Sequence, residues 1–244
     1  MKLHYIVRYK NIKKMKIQDV KFGSAQTDRK ADIVFCIDST GSMDPCFYGI
    51  KTNIREFING LNSHGEVDWR FRLLAYRDKH SDPGSLWEEF EFTNSSEIFI
   101  RNLDSVTPDG GDDLPESTLD ALYLAIKSNW RNDAGLQKVV VLLTDADSHP
   151  YLHSTTYNFP DNNIERVVQE FQTLKHSMLF MVAPDLPIYQ HLDKAMTLAD
   201  KKVFFKAQPT NDTQTDIDEK YRGLSNVNFK IMFKIISESI SSSF

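Results

Sequence analysis

The chain has 244 residues, a formal net charge of −5, 41% apolar residues and 26% charged residues. One α/β domain of that length buries roughly 70% of its unfolded surface, and this balance excludes a largely disordered or fibrous chain. No apolar run is long enough to span a bilayer, no secretory leader opens the sequence, and two cysteines cannot build a disulfide framework. The expectation is therefore a cytoplasmic protein with reduced thiols, or an extracellular one if the chain is a fragment of a secreted protein.

Residues 1–30 carry nine lysines or arginines against Asp19 and Asp28. Strand-like apolar clusters over 3–9 and 15–22 interleave with these basic residues, which predicts an N-terminal basic β extension with solvated faces. No nucleic-acid partner is expected from it. The main domain is predicted over 31–244. It opens with the apolar run Ile33–Ile37, a buried strand that stops at Asp38 and is followed by Thr40 and Ser42.

Phe47, Ile50, Ile54, Phe57, Ile58 and Leu61 fall at helical spacing and predict a helix over 46–61. A strand over 67–76 follows, with an antiparallel edge neighbour over 86–92. Ser95 or Ser96 caps a helix running through Leu103. A Gly-rich turn over 107–116 leads into a helix over 115–130. Val139–Leu143 is a second continuous apolar strand, and it stops at Thr144 and Asp145. The connection over 145–163 is long and rich in His, Tyr, Ser, Thr and Pro, as functional loops are. The remaining elements are a helix over 164–174, a strand over 177–182, a helix over 187–198, a short strand over 202–205 and a helix from Phe229 to Ile240. The alternation predicts an α/β fold with a doubly wound, mostly parallel sheet, one antiparallel edge strand and helices on both faces.

Ligands of open α/β sheets bind beyond the carboxyl ends of the strands. Asp38 and Asp145 both sit at such ends, and Thr40 and Ser42 add neutral hydroxyl oxygens. An oxygen-only donor set suits Mg²⁺ or Mn²⁺ rather than zinc or copper. The carboxylates would bind directly or through water and orient the hydroxyls.

Several ordered motifs sharpen this reading. They are Asp38-Ser39-Thr40-Gly41-Ser42, Ala75-Tyr76-Arg77-Asp78, Gly110-Gly111-Asp112-Asp113-Leu114-Pro115-Glu116, and Asp145-Ala146-Asp147-Ser148-His149. Together they resemble the von Willebrand factor A (vWA) domain with its metal-ion-dependent adhesion site, in the subgroup with Gly-Gly-x-Asp-x-Pro-Glu in the second loop. The resemblance implies a Rossmann-like vWA fold in which Asp38, Thr40, Ser42, Asp113 and Asp145 surround one divalent cation, Mg²⁺ with Mn²⁺ or Ca²⁺ as alternatives. It also implies a protein partner that offers an acidic side chain to a vacant coordination position.

Asp113 stands where adhesive members have Thr, which adds negative charge and weakens attraction for an incoming carboxylate. It could instead form a capping box with Glu116 at the start of the helix, and Asp112 takes its place if the turn is shifted by one residue. His149, Tyr151, His153 and Asp112 are rim residues for partner binding, and Arg77 and Asp78 brace the loop below the ion. No Gly-x-Ser-x-Gly elbow or Walker segment is present. Metal-assisted hydrolysis would need a base that only His149 or Asp112 could supply. The expected function is a non-enzymatic, cation-dependent interaction module. The alternatives are an extracellular adhesive vWA domain from a larger secreted protein and a metal-dependent hydrolase.

Overall fold

The computed structural model describes residues 28–80, 87–110, 115–198, 202–208, 224 and 227–244. The predicted strands over 3–9 and 15–22 lie outside the described residues. Six strands form one sheet in the order β3-β2-β1-β4-β5-β6. They are β1 (Lys30–Asp38), β2 (Asp68–Tyr76), β3 (Glu88–Glu89), β4 (Gln137–Leu143), β5 (Ser177–Pro184) and β6 (Lys202–Gln208). All neighbours pair in parallel except β2 and β3, which are antiparallel.

The central strands are apolar throughout because both faces of the sheet are covered. Ala31 to Asp38 of β1 are all buried. Ile33, Phe35 and Ile37 meet α1 (Asp44–Leu61), α2 (Ser96–Ser105) and α6 (Phe229–Ser241) on one face. Val34 and Cys36 meet α3 (Thr118–Ile126), α4 (Ile164–Thr173) and α5 (Pro187–Leu198) on the other. The Phe35 ring lies 5.2–6.0 Å, centroid to centroid, from Phe57, Phe71, Phe99 and Phe233. Edge-on and tilted aromatic contacts of this kind add to burial.

Local signals start the helices where expected. Pro45 opens α1, the Ser95 hydroxyl accepts from Ile98 N at 3.2 Å ahead of α2, and Asn163 caps α4 by accepting from Arg166 N at 3.3 Å. Helix α6 lies close against α1 because α1 has glycines there. A Cβ on Gly49 would sit 2.2 Å from the Phe229 ring, and one on Gly60 would sit 2.0 Å from Ser237 Oγ.

Two elements depart from the sequence reading. Helix α3 begins at Thr118, with Ser117 as its N-cap residue, and ends at Ile126 rather than spanning 115–130. Glu116 is extended instead, because its N–H donates to Asp147 O at 2.9 Å and its carbonyl accepts from His149 N at 3.0 Å. Glu116 therefore precedes this helix instead of serving as the third residue of a capping box. The antiparallel edge shortens to Glu88–Glu89 and continues as an isolated bridge between Phe71 and Thr93.

At the opposite end of the sheet from Asp38, β1 buries Asp32 completely. Arg70 grips it through Nε at 3.0 Å and Nη2 at 2.6 Å, and Arg131 through Nε and its own backbone N–H, both at 2.9 Å. A buried carboxylate persists only with such partners.

Candidate metal centre

The chain order reverses between β1 and β4, and the crevice beyond their carboxyl ends is where open sheets bind ligands. Asp38 ends β1, and Thr144 and Asp145 directly follow β4. Asp38 is fully buried. Its Oδ1 accepts from the Thr40 backbone N–H at 2.9 Å and from Thr40 Oγ1 at 2.8 Å, and its Oδ2 accepts from Thr144 Oγ1 at 2.9 Å. Ser42 Oγ lies 3.3 Å from Thr40 Oγ1. Because the Thr40 hydroxyl gives its proton to Asp38, its lone pairs remain for another partner.

The loops around Asp38 are tied to one another. Gly41 N donates to Gly110 O at 3.1 Å, and Asp109 N donates to Ser39 O at 3.1 Å. Gly110 has φ of +72°, a backbone conformation that favours glycine, and a Cβ on Gly41 would lie 3.4 Å from Gly110 O. Arg77 braces both loops, with Nε to Ser39 O at 3.2 Å and Nη2 to Thr107 O at 2.6 Å. The third loop is pinned by Tyr189, whose buried hydroxyl donates to Ala146 O at 2.7 Å.

Burial pushes the Asp38 carboxyl up to about 7, with the Asp145 charge the next cause, while the hydrogen bonds from Thr40 and Thr144 pull the other way. A bound cation near Asp38 would offset both the burial and the repulsion from Asp145. Buried carboxylate, half-buried carboxylate and two hydroxyls make an all-oxygen set that fits a hard divalent ion. Asp38, Thr40, Ser42 and Asp145 are thus brought to one margin of the sheet. Asp112 and Asp113 lie outside the described residues, between Gly110 and Pro115.

Of the expected rim residues, His149, Tyr151 and His153 lie among the described residues. Tyr151 is exposed and bridges to Asn163. His149 and His153 gather with His80 around Asp78. Asp78 Oδ1 lies 2.9 Å from His149 Nε2 and accepts from Ser117 Oγ and His80 N, both at 3.0 Å. The His80 ring lies 4.0 Å from that of His149 and 4.8 Å from that of His153. Burial and the two neighbouring imidazoles lower the His80 pKa against the pull of Asp78 and Asp120. Beside this cluster, Lys79 Nζ sits 4.0 Å from the centre of the Trp87 ring and donates to Thr156 Oγ1 at 2.9 Å.

Sequence reasoning missed Thr144, Tyr189, His80 and Asp120. Thr144 carried a signal, since it lies between the apolar strand and Asp145. His80, two residues past Asp78, carried one only when paired with the distant His149.

A mostly parallel open sheet with helices on both faces and polar loops at its switch point defines the class as an α/β domain of the doubly wound kind. The family model described as von Willebrand factor type A domain matches residues 32–220, and the chain belongs to that family. Its members are generally non-catalytic modules of protein–protein interaction and often bind a divalent metal. The chain is 28% identical over 141 residues to "Alpha-protein kinase vwkA" of Dictyostelium discoideum, an alignment covering 57% of this chain and 22% of that protein. Among solved structures, the pilus adhesin SpaC of Lactobacillus rhamnosus GG superposes with a TM-score of 0.54 at 14% identity, covering 88% of this chain and 31% of that one. The PilB minor pilin of Streptococcus sanguinis gives 0.52 at 14% identity, covering 88% and 63%. At these identities the likeness is one of fold. No helix among the described residues is long and apolar enough to cross a membrane.

Proposed function

We propose that this vWA domain is a non-enzymatic protein-binding module that works through a Mg²⁺ site of the metal-ion-dependent adhesion type. Asp38, Thr40, Ser42 and Asp145 are its donors, Asp113 is the fifth group from the second loop, and the subgroup is the one with Gly-Gly-x-Asp-x-Pro-Glu. The observation that carries this reading is Asp38, a buried carboxylate whose two oxygens orient the Thr40 and Thr144 hydroxyls while its charge conflicts with that of Asp145. A bound divalent ion would supply the missing positive charge and a coordination position for a carboxylate of the partner.

The residues present do the rest of the work. Asp38 orients Thr40, Arg77 ties the first loop to the second, and Tyr189 fixes the third, so the donors are ordered before a partner arrives. Asp113 would lower the net positive charge of the site and favour a weaker, reversible partner over tight adhesion. The relative named as a kinase extends well beyond the aligned region. We take that as support for a recognition module that can work within a longer, cytoplasmic protein.

The test uses the purified chain and its Ser42→Ala variant, titrated with Mg²⁺ and Mn²⁺ by calorimetry, then used to capture partners with Mg²⁺ or with chelator. One ion per chain, lost with the variant, and partners retained only with Mg²⁺ are expected. Absence of ion binding, or identical capture with and without chelator, would refute the proposal.

A further inference from the structure

We propose that Asp78, His80 and His149 form a second cation site, distinct from the one at Asp38 and suited to zinc-type ions with water in the fourth position. One ligand atom from each of Asp78, His80 and His149 can be chosen so that all lie within 4.8 Å of one another. Tetrahedral zinc with bonds near 2.0–2.1 Å needs ligand atoms about 3.3 Å apart. His149 Nε2 and Asp78 Oδ1, at 2.9 Å, need to separate only slightly, while His80 needs a ring rotation that its exposed position allows. His153 stands edge-on to His80 at 88° with its Nδ1 bonded to Thr155 Oγ1 at 2.8 Å, so it packs beside the site rather than supplying a donor.

The donor types decide the ion. Imidazole nitrogens with one carboxylate select zinc and its transition-metal neighbours, whereas magnesium prefers oxygen. A second observation points the same way. Asp120 is fully buried, its Oδ1 accepts from His153 N at 2.9 Å, and its Oδ2 has no hydrogen-bond partner among the described residues. Its charge reaches His80. A buried carboxylate whose charge reaches a ligand histidine helps to balance the charge of a bound ion.

The consequence is mechanical as well as chemical. Asp78 and His80 follow β2, whereas His149 and His153 belong to the long connection after β4. A shared ion would clamp that connection to the sheet margin next to the Mg²⁺ site without touching Asp38, Thr40 or Ser42.

The experiment is calorimetric titration of the full chain with Zn²⁺ while Mg²⁺ is saturating, repeated with His80→Ala, His149→Ala and Ser42→Ala. A parallel titration with Co²⁺ follows the visible absorption of a four-coordinate ion. Because His80 is exposed and the backbone N–H that it donates to Asp78 survives in alanine, His80→Ala is the variant least able to act through misfolding. One Zn²⁺ per chain is expected, weakened at least about 100-fold by either histidine substitution and unchanged by Ser42→Ala. Absence of Zn²⁺ binding beside Mg²⁺, undiminished affinity in His80→Ala, or loss of Zn²⁺ in Ser42→Ala would each overturn the proposal. Mg²⁺ binding followed in the same samples reports separately on the site at Asp38.

Discussion

Asp38→Asn should stabilise the metal-free domain at alkaline pH while abolishing its response to Mg²⁺. Asparagine keeps the shape of Asp38 and can still meet the Thr40 and Thr144 hydroxyls, but removes the buried charge. The carboxyl titrates at about 7 in the fold against an ordinary 3.8, so the folded state holds the proton more tightly than the unfolded chain. Stability from this group is therefore full below pH 4 and lost as pH rises from about 4 to about 7. A shift of that size corresponds to about 4 kcal/mol as an upper bound. The assay is urea unfolding of wild type and variant at pH 5 and pH 8, in chelator and in Mg²⁺. In chelator the wild type should lose up to about 2–3 kcal/mol more than the variant between the two pH values. Added Mg²⁺ should recover that loss in the wild type alone. Equal pH dependence of the two proteins in chelator, or an equal gain from Mg²⁺, would refute the reasoning.

Arg131→Met removes one of the two guanidinium charges from buried Asp32, leaving Arg70 and the backbone N–H of residue 131, and should cost about 3 kcal/mol, read as a drop in Tm of roughly 6–12 °C with the Mg²⁺ response intact. A loss under about 1 kcal/mol would show that Arg70 and the remaining backbone N–H suffice. Gly49→Ala drives a methyl into the Phe229 ring, and should lower stability by about 1–3 kcal/mol in denaturant unfolding despite alanine's better helix propensity. Cys36 and Cys46 are buried and unbonded, and burial raises both thiol pKa values, so a thiol reagent should label neither in the native protein and both in denaturant.

Much of the fold was legible because burial on both sheet faces writes unbroken apolar strands, and one-sided packing writes the helical spacing of Phe47, Ile50, Ile54 and Phe57. The grouping of Asp38, Thr40 and Ser42 was legible for the same local reason, since the three polar residues directly end a buried strand. Helix α3 was misread because Glu116 pairs with Asp147 and His149, a contact that overrides the local capping signal. The partnership of Asp78 with His149 spans 71 residues, and Asp120 hides within an apolar helix, so neither could be read from neighbouring residues. The part of the second loop that contains Asp112 and Asp113 lies outside the described residues, so the sequence alone places those two side chains.

The indole of Trp87 beneath the Lys79 ammonium gives the domain an optical reporter of its own. Trp69 is stacked on Phe71 with ring centres 4.4 Å apart, and Trp130 is anchored by its Nε1 to Ile126 O at 2.8 Å, so each emits from a different setting from that of Trp87. Lys79 immediately precedes His80 in the chain, and a small displacement of that ammonium changes the electric field across the Trp87 ring. Events on this rim should therefore be visible as a change in intrinsic fluorescence, without any attached dye.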